Sequence, residues 1–316
     1  MRLVITGASG NLGTRLVEVA LRAGHQVHAW TSPRLPVISP AFDQIAYTPV
    51  ELTDPESVAH AFWQARPMAV IHAAALSSLA ECYRDPVRAF RINAEATRQL
   101  VGLCVAGVSR LVYVSTDLVF SGREGHYHES SPTQPLSQYG KSKLDGERAV
   151  LDHPGHLVVR LSWLAGKGPA CRPNFLDQLI QRLQENMPIE LFEDEWRTPL
   201  GTCTAAEVLL LLAQHDIAGI LHLGGAEKFS RYQMGLILAR LLGKPESLVR
   251  ATQQNNQATP ELRPRDVSLD SSLFQSKFPG CFIPTYEAVL RLELGLGDLV
   301  GGTSHQSPAT TSPMAT

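Results

Sequence analysis

The stretch "LSQYGKSKLDGERA" (136–149) holds a tyrosine, Tyr139, and a lysine, Lys143, four residues apart. On a helix, positions i and i+4 share a face, so both side chains can address one ligand. Upstream, "YVSTDLVFSG" (113–122) places Ser115 and Thr116 at the end of an apolar run. A ketone that accepts a hydride becomes an alkoxide that must be protonated, and a phenol can supply that proton. An isolated tyrosine, pKa about 10, exchanges protons poorly near neutrality. A lysine charge ~5 Å away, at an effective dielectric of ~20, contributes roughly 3 kcal/mol, or about two pKa units. The catalytic set expected on these grounds is Thr116 on the carbonyl oxygen, Tyr139 as the acid and Lys143 as its tuner.

Such a site needs a hydride carrier. "TGASGNLG" places Gly7, Gly10 and Gly13 directly after the first apolar run and at the opening of a helical pattern. Glycines there let the backbone turn tightly against a pyrophosphate, which the helix N-terminus then holds. NAD sites of this kind carry an acidic residue at the end of the second strand. Here that stretch reads "HAWTSPR", with no carboxylate. Thr31, Ser32 and Arg34 offer donors suited to a 2′-phosphate, with Arg15 placed to assist. NADP(H) is the expected cofactor, with NAD(H) as the alternative.

These residues are carried on a repeating strand–helix pattern. "LVITG" (3–7), "QVHAW" (26–30), "QIAYT" (44–48), "MAVIHAA" (68–74), "RLVYVST" (110–116) and "HLVVRLS" (156–162) read as strands. Helical stretches lie between them: 11–23, with Leu12, Leu16, Val19 and Ala20 on one face and Gly24 as the stop, then near 55–65, 84–106 and 138–152. Near-continuous apolar strands alternating with helices predict an α/β fold, a Rossmann-type doubly wound parallel sheet. The expected organisation is a cofactor domain over 1–163, to which some later segments return, a smaller C-terminal substrate-binding lobe over 164–295 and a disordered tail over 301–316. In the lobe, "FLDQLIQRLQ", "AAEVLLLLAQH" and "RYQMGLILARLLG" read as helices, and 251–266 as a long loop.

Composition restricts the partners. A net charge of −2 gives no electrostatic reason for nucleic acid or an anionic membrane. Five scattered cysteines without a CxxC spacing suit a reducing compartment. The first residues do not read as a leader, and the longest later apolar run, "VLLLLA", is too short to cross a bilayer. A cytoplasmic enzyme acting on a small molecule is expected, as a possible homodimer. "HYH" (126–128) lacks a third ligand and reads as solvent-facing, so no metal is expected.

The GxxGxxG spacing together with Thr116, Tyr139 and Lys143 resembles the extended short-chain dehydrogenase/reductases. "STDLVFSG", "YGKSKLDGE", "VVRLSWLAG", "DEWRTPLG", "LHLGGAEKFSRYQMG" and "RPRDVSLDSS" follow in the order of the dTDP-4-dehydrorhamnose reductase (RmlD-like) branch, across roughly residues 1–293. "HAAA" (72–75) looks like the family's NAAA segment, whose small residues let the cofactor lie against the sheet edge; His72 replaces the usual Asn and reads as a satisfied strand-end histidine. The expected cofactor contacts are Gly7, Ser9, Gly10, Asn11, Leu12, Gly13, Thr31, Ser32, Arg34, Ala73, Ala74, Ala75, Asn93, Tyr139 and Lys143.

The resemblance implies reduction of a 4-keto group on a nucleotide-linked deoxysugar held by the C-terminal lobe. Asn174, Phe175, Trp196, Arg197, Arg263 and Arg265 are the candidates for that cleft, the last two as a diphosphate clamp. The branch usually has Tyr where Leu118 stands and a "DQxGxPT"-like segment in place of "DEWRTPL". Two further readings stay open. One is a non-catalytic NADP-binding regulatory subunit resembling the methionine adenosyltransferase β subunit; the other is an NAD-dependent epimerase.

Overall fold

The structure is a computed structural model that describes residues 1–33, 45, 47–169, 172–256 and 261–297. Six strands appear in chain order: β1 (Arg2–Thr6), β2 (Gln26–Thr31), β3 (Tyr47–Pro49), β4 (Ala69–His72), β5 (Arg110–Thr116) and β6 (Leu157–Leu161). Four short strands follow in the lobe, β7 (Leu164–Ala165), β8 (Ile189–Phe192), β9 (Trp196–Arg197) and β10 (Leu200–Gly201). The chain then returns with β11 (Gly219–Leu223), which pairs with β6. The resulting sheet has seven parallel strands in the order β11-β6-β5-β4-β1-β2-β3.

This order reverses direction at β1. From there the chain runs outward through β2 and β3, then crosses back to β4 on the other side. Open parallel sheets bind ligands at such a switch point, beyond the carboxyl ends of their strands. The glycine turn follows β1 and the Ala73–Ala75 segment follows β4, so both meet at the crevice.

The strands are apolar on both faces because helices cover both. Leu3, Ile5, Ile71, Val112 and Val159 pack beneath the helices Asn11–Arg22 and Thr202–Ala213. Val4, Val70, Leu111 and Val158 pack beneath Pro55–Ala65 and Ala96–Ala106. The first helix buries Leu12, Leu16, Val17 and Ala20, with Val19 only partly covered. Gly24, at φ +73, supplies the left-handed step that ends it.

The lobe has a separate core, in which Leu176, Ile180, Leu183, Leu191, Met234, Leu238, Val289 and Leu290 meet. Its helices Phe175–Gln184, Thr202–Ala213 and Arg231–Leu241 match the sequence reading to within three residues at each end. The helix Thr202–Ala213, however, packs on the sheet rather than in the lobe.

Three expectations need correction. The helix read over 84–106 runs from Pro86 to Ala106 but is not regular, since a π-helical turn at Arg91–Glu95 interrupts its α-helical stretches Pro86–Phe90 and Ala96–Ala106. Pro86 and the Asp85 cap start it and separate it from the short helix Leu79–Arg84, since proline cannot continue a preceding helix. The segment 251–266 is not loop from its start, because Val249–Thr252 forms a strand parallel to β8. Of "QIAYT", only Tyr47 and Thr48 fall in a described strand; Gln44 and Ala46, like the tail 301–316, lie outside the described residues. No helix of the described residues is long and apolar enough to cross a membrane.

Candidate active site

The carboxyl ends of β1, β2, β4, β5 and β6 open into one cleft of about 1170 Å3, closed on its far side by the lobe segment around Asn174. Gly7, Ser9, Gly10, Asn11, Leu12 and Gly13 line it. The turn is tight for a specific reason. Gly7 sits at φ +69, where a Cβ would meet the Ala74 backbone at 2.8 Å, and a Cβ on Gly13 would run into the Gly7 carbonyl. The helix that follows has Gly10 at its N-cap without a side-chain cap. Its leading N–H groups are therefore available to an anion. The buried Asn11 Oδ1 has no hydrogen-bond partner. A tight glycine cradle, uncapped amides and an orphaned polar atom fit a dinucleotide at this end.

His72 holds the opposite rim. The Thr97 hydroxyl donates to the Asn93 carbonyl at 2.8 Å, so it accepts from the His72 Nε2–H at 3.0 Å. His72 Nδ1 then accepts from the Thr6 hydroxyl at 2.7 Å, whose oxygen in turn accepts the Ala74 N–H at 3.1 Å. Burial, and then the nearby Lys143, push this histidine down to about 3, so it stays neutral. It is a satisfied strand-end histidine, and it fixes the Ala74 backbone against Gly7. Ala73, Ala74 and Ala75 all line the cleft.

Thr31 and Ser32 line the cleft end beyond β2, beside Trp30, Val50, Glu51 and Leu52. Arg34 lies outside the described residues. Arg15 is turned away, with its guanidinium 3.1 Å from Glu18 and 4.0 Å from Glu293. The sequence reading missed Glu51, whose carboxylate accepts from the Thr53 hydroxyl at 2.8 Å; it comes from a neighbouring strand end, not from β2.

Thr116, Tyr139 and Lys143 converge on the same cleft. Ser137 caps the helix Gln138–Leu151 by accepting the Gly140 N–H at 3.1 Å, which puts Tyr139 in the first turn. Asn93 does not line the cleft. It is buried; its Oδ1 accepts from Leu76 N at 2.8 Å and its Nδ2 donates to Ser142 Oγ at 2.9 Å, bracing the rim to the tyrosine helix.

The electrostatics correct the sequence reading. Burial raises the Tyr139 phenol above its ordinary value, Asp117 and Cys82 raise it further, and a hydrogen bond from Thr116 opposes them. Lys143, which is buried where Tyr139 is only partly so, is pushed down to about 7 by desolvation, with Glu147 opposing. Desolvation therefore outweighs pair attraction, and the phenol is held protonated. Beneath Lys143 lies a buried ion pair that sequence reasoning missed. Arg160 donates to Glu147 through Nε at 3.0 Å and Nη2 at 2.7 Å, and Ser115 donates to the same carboxylate.

On the lobe side, Asn174 and Phe175 line the cleft. The Asn174 Oδ1 accepts from Asp177 N at 3.1 Å and its Nδ2 donates to the Gly166 carbonyl at 2.7 Å. Trp163, unmarked by sequence reasoning, stands 6.3 Å from the Phe175 ring, and the Arg231 guanidinium lies 4.7 Å over it. The other four candidates are not part of this cleft wall. Arg197 is buried, 3.0 Å from Glu195 and 3.6 Å from Asp117. Arg263 reaches Glu195 at 3.6 Å, and Arg265 reaches Asp194 at 4.0 Å. Trp196 carries Lys228 over its ring. The acidic run "EDE" (193–195) draws the arginines away from the cleft. His126 and His128 are exposed, each about 3.2–3.3 Å from Asp270, and no group of described residues could hold a metal ion.

The sequence profile of the family described as "RmlD substrate binding domain" matches residues 1–292. A dTDP-4-keto-6-deoxy-D-glucose reductase of Streptomyces niveus is 31% identical, over 84% of this chain and 86% of that protein. A dTDP-4-dehydrorhamnose reductase of Streptomyces griseus is 32% identical, over 87% of each. The crystal structure of a dTDP-4-dehydrorhamnose reductase from Clostridium acetobutylicum superposes with a TM-score of 0.81 at 25% identity, over 94% of this chain and 99% of the other. The chain thus belongs to the RmlD substrate binding domain family and is an NAD(P)-dependent oxidoreductase of the extended short-chain dehydrogenase/reductase type.

Proposed function

We propose that the protein reduces the 4-keto group of a nucleotide-linked deoxysugar, with NADPH as the hydride source and Thr116, Tyr139 and Lys143 as its catalytic residues. The observation that carries this reading is the convergence of that triad, the glycine turn and the Asn174–Phe175 wall on one cleft. The names of the two relatives agree on the substrate class, a dTDP-linked 4-keto sugar.

Gly7, Gly10 and Gly13 hold the cofactor pyrophosphate at the helix N-terminus, and Lys143 holds its ribose hydroxyls. When bound, NADPH supplies a hydride to the carbonyl carbon. Thr116 hydrogen-bonds the ketone oxygen, and Tyr139 passes its phenolic proton to that oxygen as charge develops there. A phenol held protonated by its surroundings is in the form that reduction requires. As Tyr139 loses its proton, the negative charge strengthens the hold of Lys143 on its own. Asn174, Phe175 and Trp163 face the sugar nucleotide. NADPH is preferred because Thr31 and Ser32 present hydroxyl donors and β2 ends without a carboxylate.

The test is NADPH consumption with a panel of 4-keto nucleotide sugars, beside thermal shifts with NADP, NAD and the same panel. NADPH-dependent reduction of a dTDP-linked 4-keto sugar that Tyr139→Phe abolishes is expected. Cofactor binding without turnover of any panel member overturns the reading.

A further inference from the structure

We propose that Arg231 is a positioning residue for the sugar-nucleotide cleft: its guanidinium backs the Trp163 and Phe175 rings and fixes the wall they form. The guanidinium carbon lies 4.7 Å from the centre of the Trp163 ring and 5.8 Å from that of Phe175. The two rings meet edge to face, 6.3 Å apart at 81°, and both line the cleft. Arg231 touches both rings without lining the cleft, so it stands behind them.

Backbone and side chain both hold Arg231 there. It opens the helix Arg231–Leu241, whose start is locked by a capping box. Ser230 Oγ accepts the Gln233 N–H at 3.1 Å, and Gln233 Oε1 accepts the Ser230 N–H at 3.0 Å. The Arg231 N–H donates to the Glu195 carbonyl at 3.0 Å, and its Nε donates to the Glu195 carboxylate, also at 3.0 Å. Glu195 is itself fixed, with Arg197 at 3.0 Å and Arg263 at 3.6 Å.

This is an unfavourable place for an arginine. The first turn of a helix carries the positive end of its dipole and favours acidic side chains, and this turn has none. Three arginines share one carboxylate. The Arg231 Nη1 is buried and has no hydrogen-bond partner among the described residues, although buried donors are normally paired. Bracing Glu195 requires neither a third cation nor an idle donor. What the position provides is a flat cation against two rings, which a guanidinium supplies and an ammonium does not. An aromatic wall held in one orientation needs no reordering when its ligand arrives.

The proposal rests on Trp163 facing the sugar nucleotide, and a double-mutant cycle tests it. Arg231→Met keeps an unbranched side chain and removes the charge and the plane. KM for the 4-keto sugar nucleotide should rise about tenfold, with kcat and the KM for NADPH within about twofold. In a Trp163→Leu background the same substitution should change KM less than about twofold, because the ring through which it acts is gone. Arg231→Lys, with charge but no plane, should fall between, at about threefold. Effects that add in the double variant, or a fall in kcat as large as the rise in KM, would make Arg231 a brace of the fold and overturn the proposal. Should Arg231→Met not fold, the lysine variant decides through the same cycle, and an unchanged KM overturns it equally. If wild type reduces no 4-keto sugar, the proposed function fails on its own. The cycle is then read from the dissociation constant of dTDP by titration calorimetry, with the same outcomes. Wild type that binds no dTDP would overturn the proposal as well.

Discussion

The Lys143 Nζ lies 3.9 Å from the centre of the Tyr113 ring, and no carboxylate among the described residues is bonded to it. Burial has pushed this amine down to about 7, whereas an unfolded chain would hold the proton to about 10.5. Between those values the unfolded state binds more protons than the folded one, so this residue makes stability rise with pH. Below about pH 7 the folded state carries the cost of a buried ammonium in full. Lys143→Met should therefore melt a few degrees higher than wild type at pH 6. The gap should narrow toward pH 9; a constant gap across that range would contradict the assignment.

Tyr139 is the acid in the proposed mechanism, and an aligned general acid contributes about 10²–10⁴-fold to a rate. Tyr139→Phe should lower kcat by about 10³-fold and leave NADPH affinity within twofold, as fluorescence titration would read. A comparable loss of NADPH affinity would move Tyr139 from catalysis to binding.

Gly140 needs its missing side chain. In Gly140→Ala the new methyl would press on the Leu118 carbonyl and come within 2.9 Å of Pro135 Cβ, displacing the helix that carries Tyr139. Small displacements of reacting groups cost rate steeply. A fall in kcat of about 10–100-fold, larger than the change in KM, is expected from steady-state kinetics.

Gly13→Ala tests the cradle. A Cβ there collides with the Gly7 carbonyl and approaches Ala8 Cα at 2.8 Å, both backbone atoms that cannot yield cheaply. The stabilisation of wild type by NADP in thermal shift should disappear in this variant.

The Glu147–Arg160 pair is almost fully buried. Breaking a buried pair from one side costs about 3–5 kcal/mol, because the remaining charge is left uncompensated. Glu147→Gln should lose most of that margin in urea denaturation, well beyond the effect of altering the exposed Arg240–Glu287 pair.

The local patterns of the chain were enough to determine the alternating elements, the glycine turn and the Thr116–Tyr139–Lys143 set. Helix periodicity, caps and glycine steps act over a few residues, and a run such as "RLVYVST" is apolar whatever lies beside it. Tertiary structure decided the rest. Which acid an arginine meets depends on strands brought together from distant parts of the chain. Arg197 is drawn to Glu195 and Asp117 rather than to the cleft, and no local signal announces that choice. β11, which sequence reading did not separate from the lobe, is a strand because β6 offers it an open edge. The same holds for the site's electrostatics. Residue types predict attraction between Tyr139 and Lys143, but only the packed fold shows that Lys143 is buried and Tyr139 partly so, and desolvation then dominates.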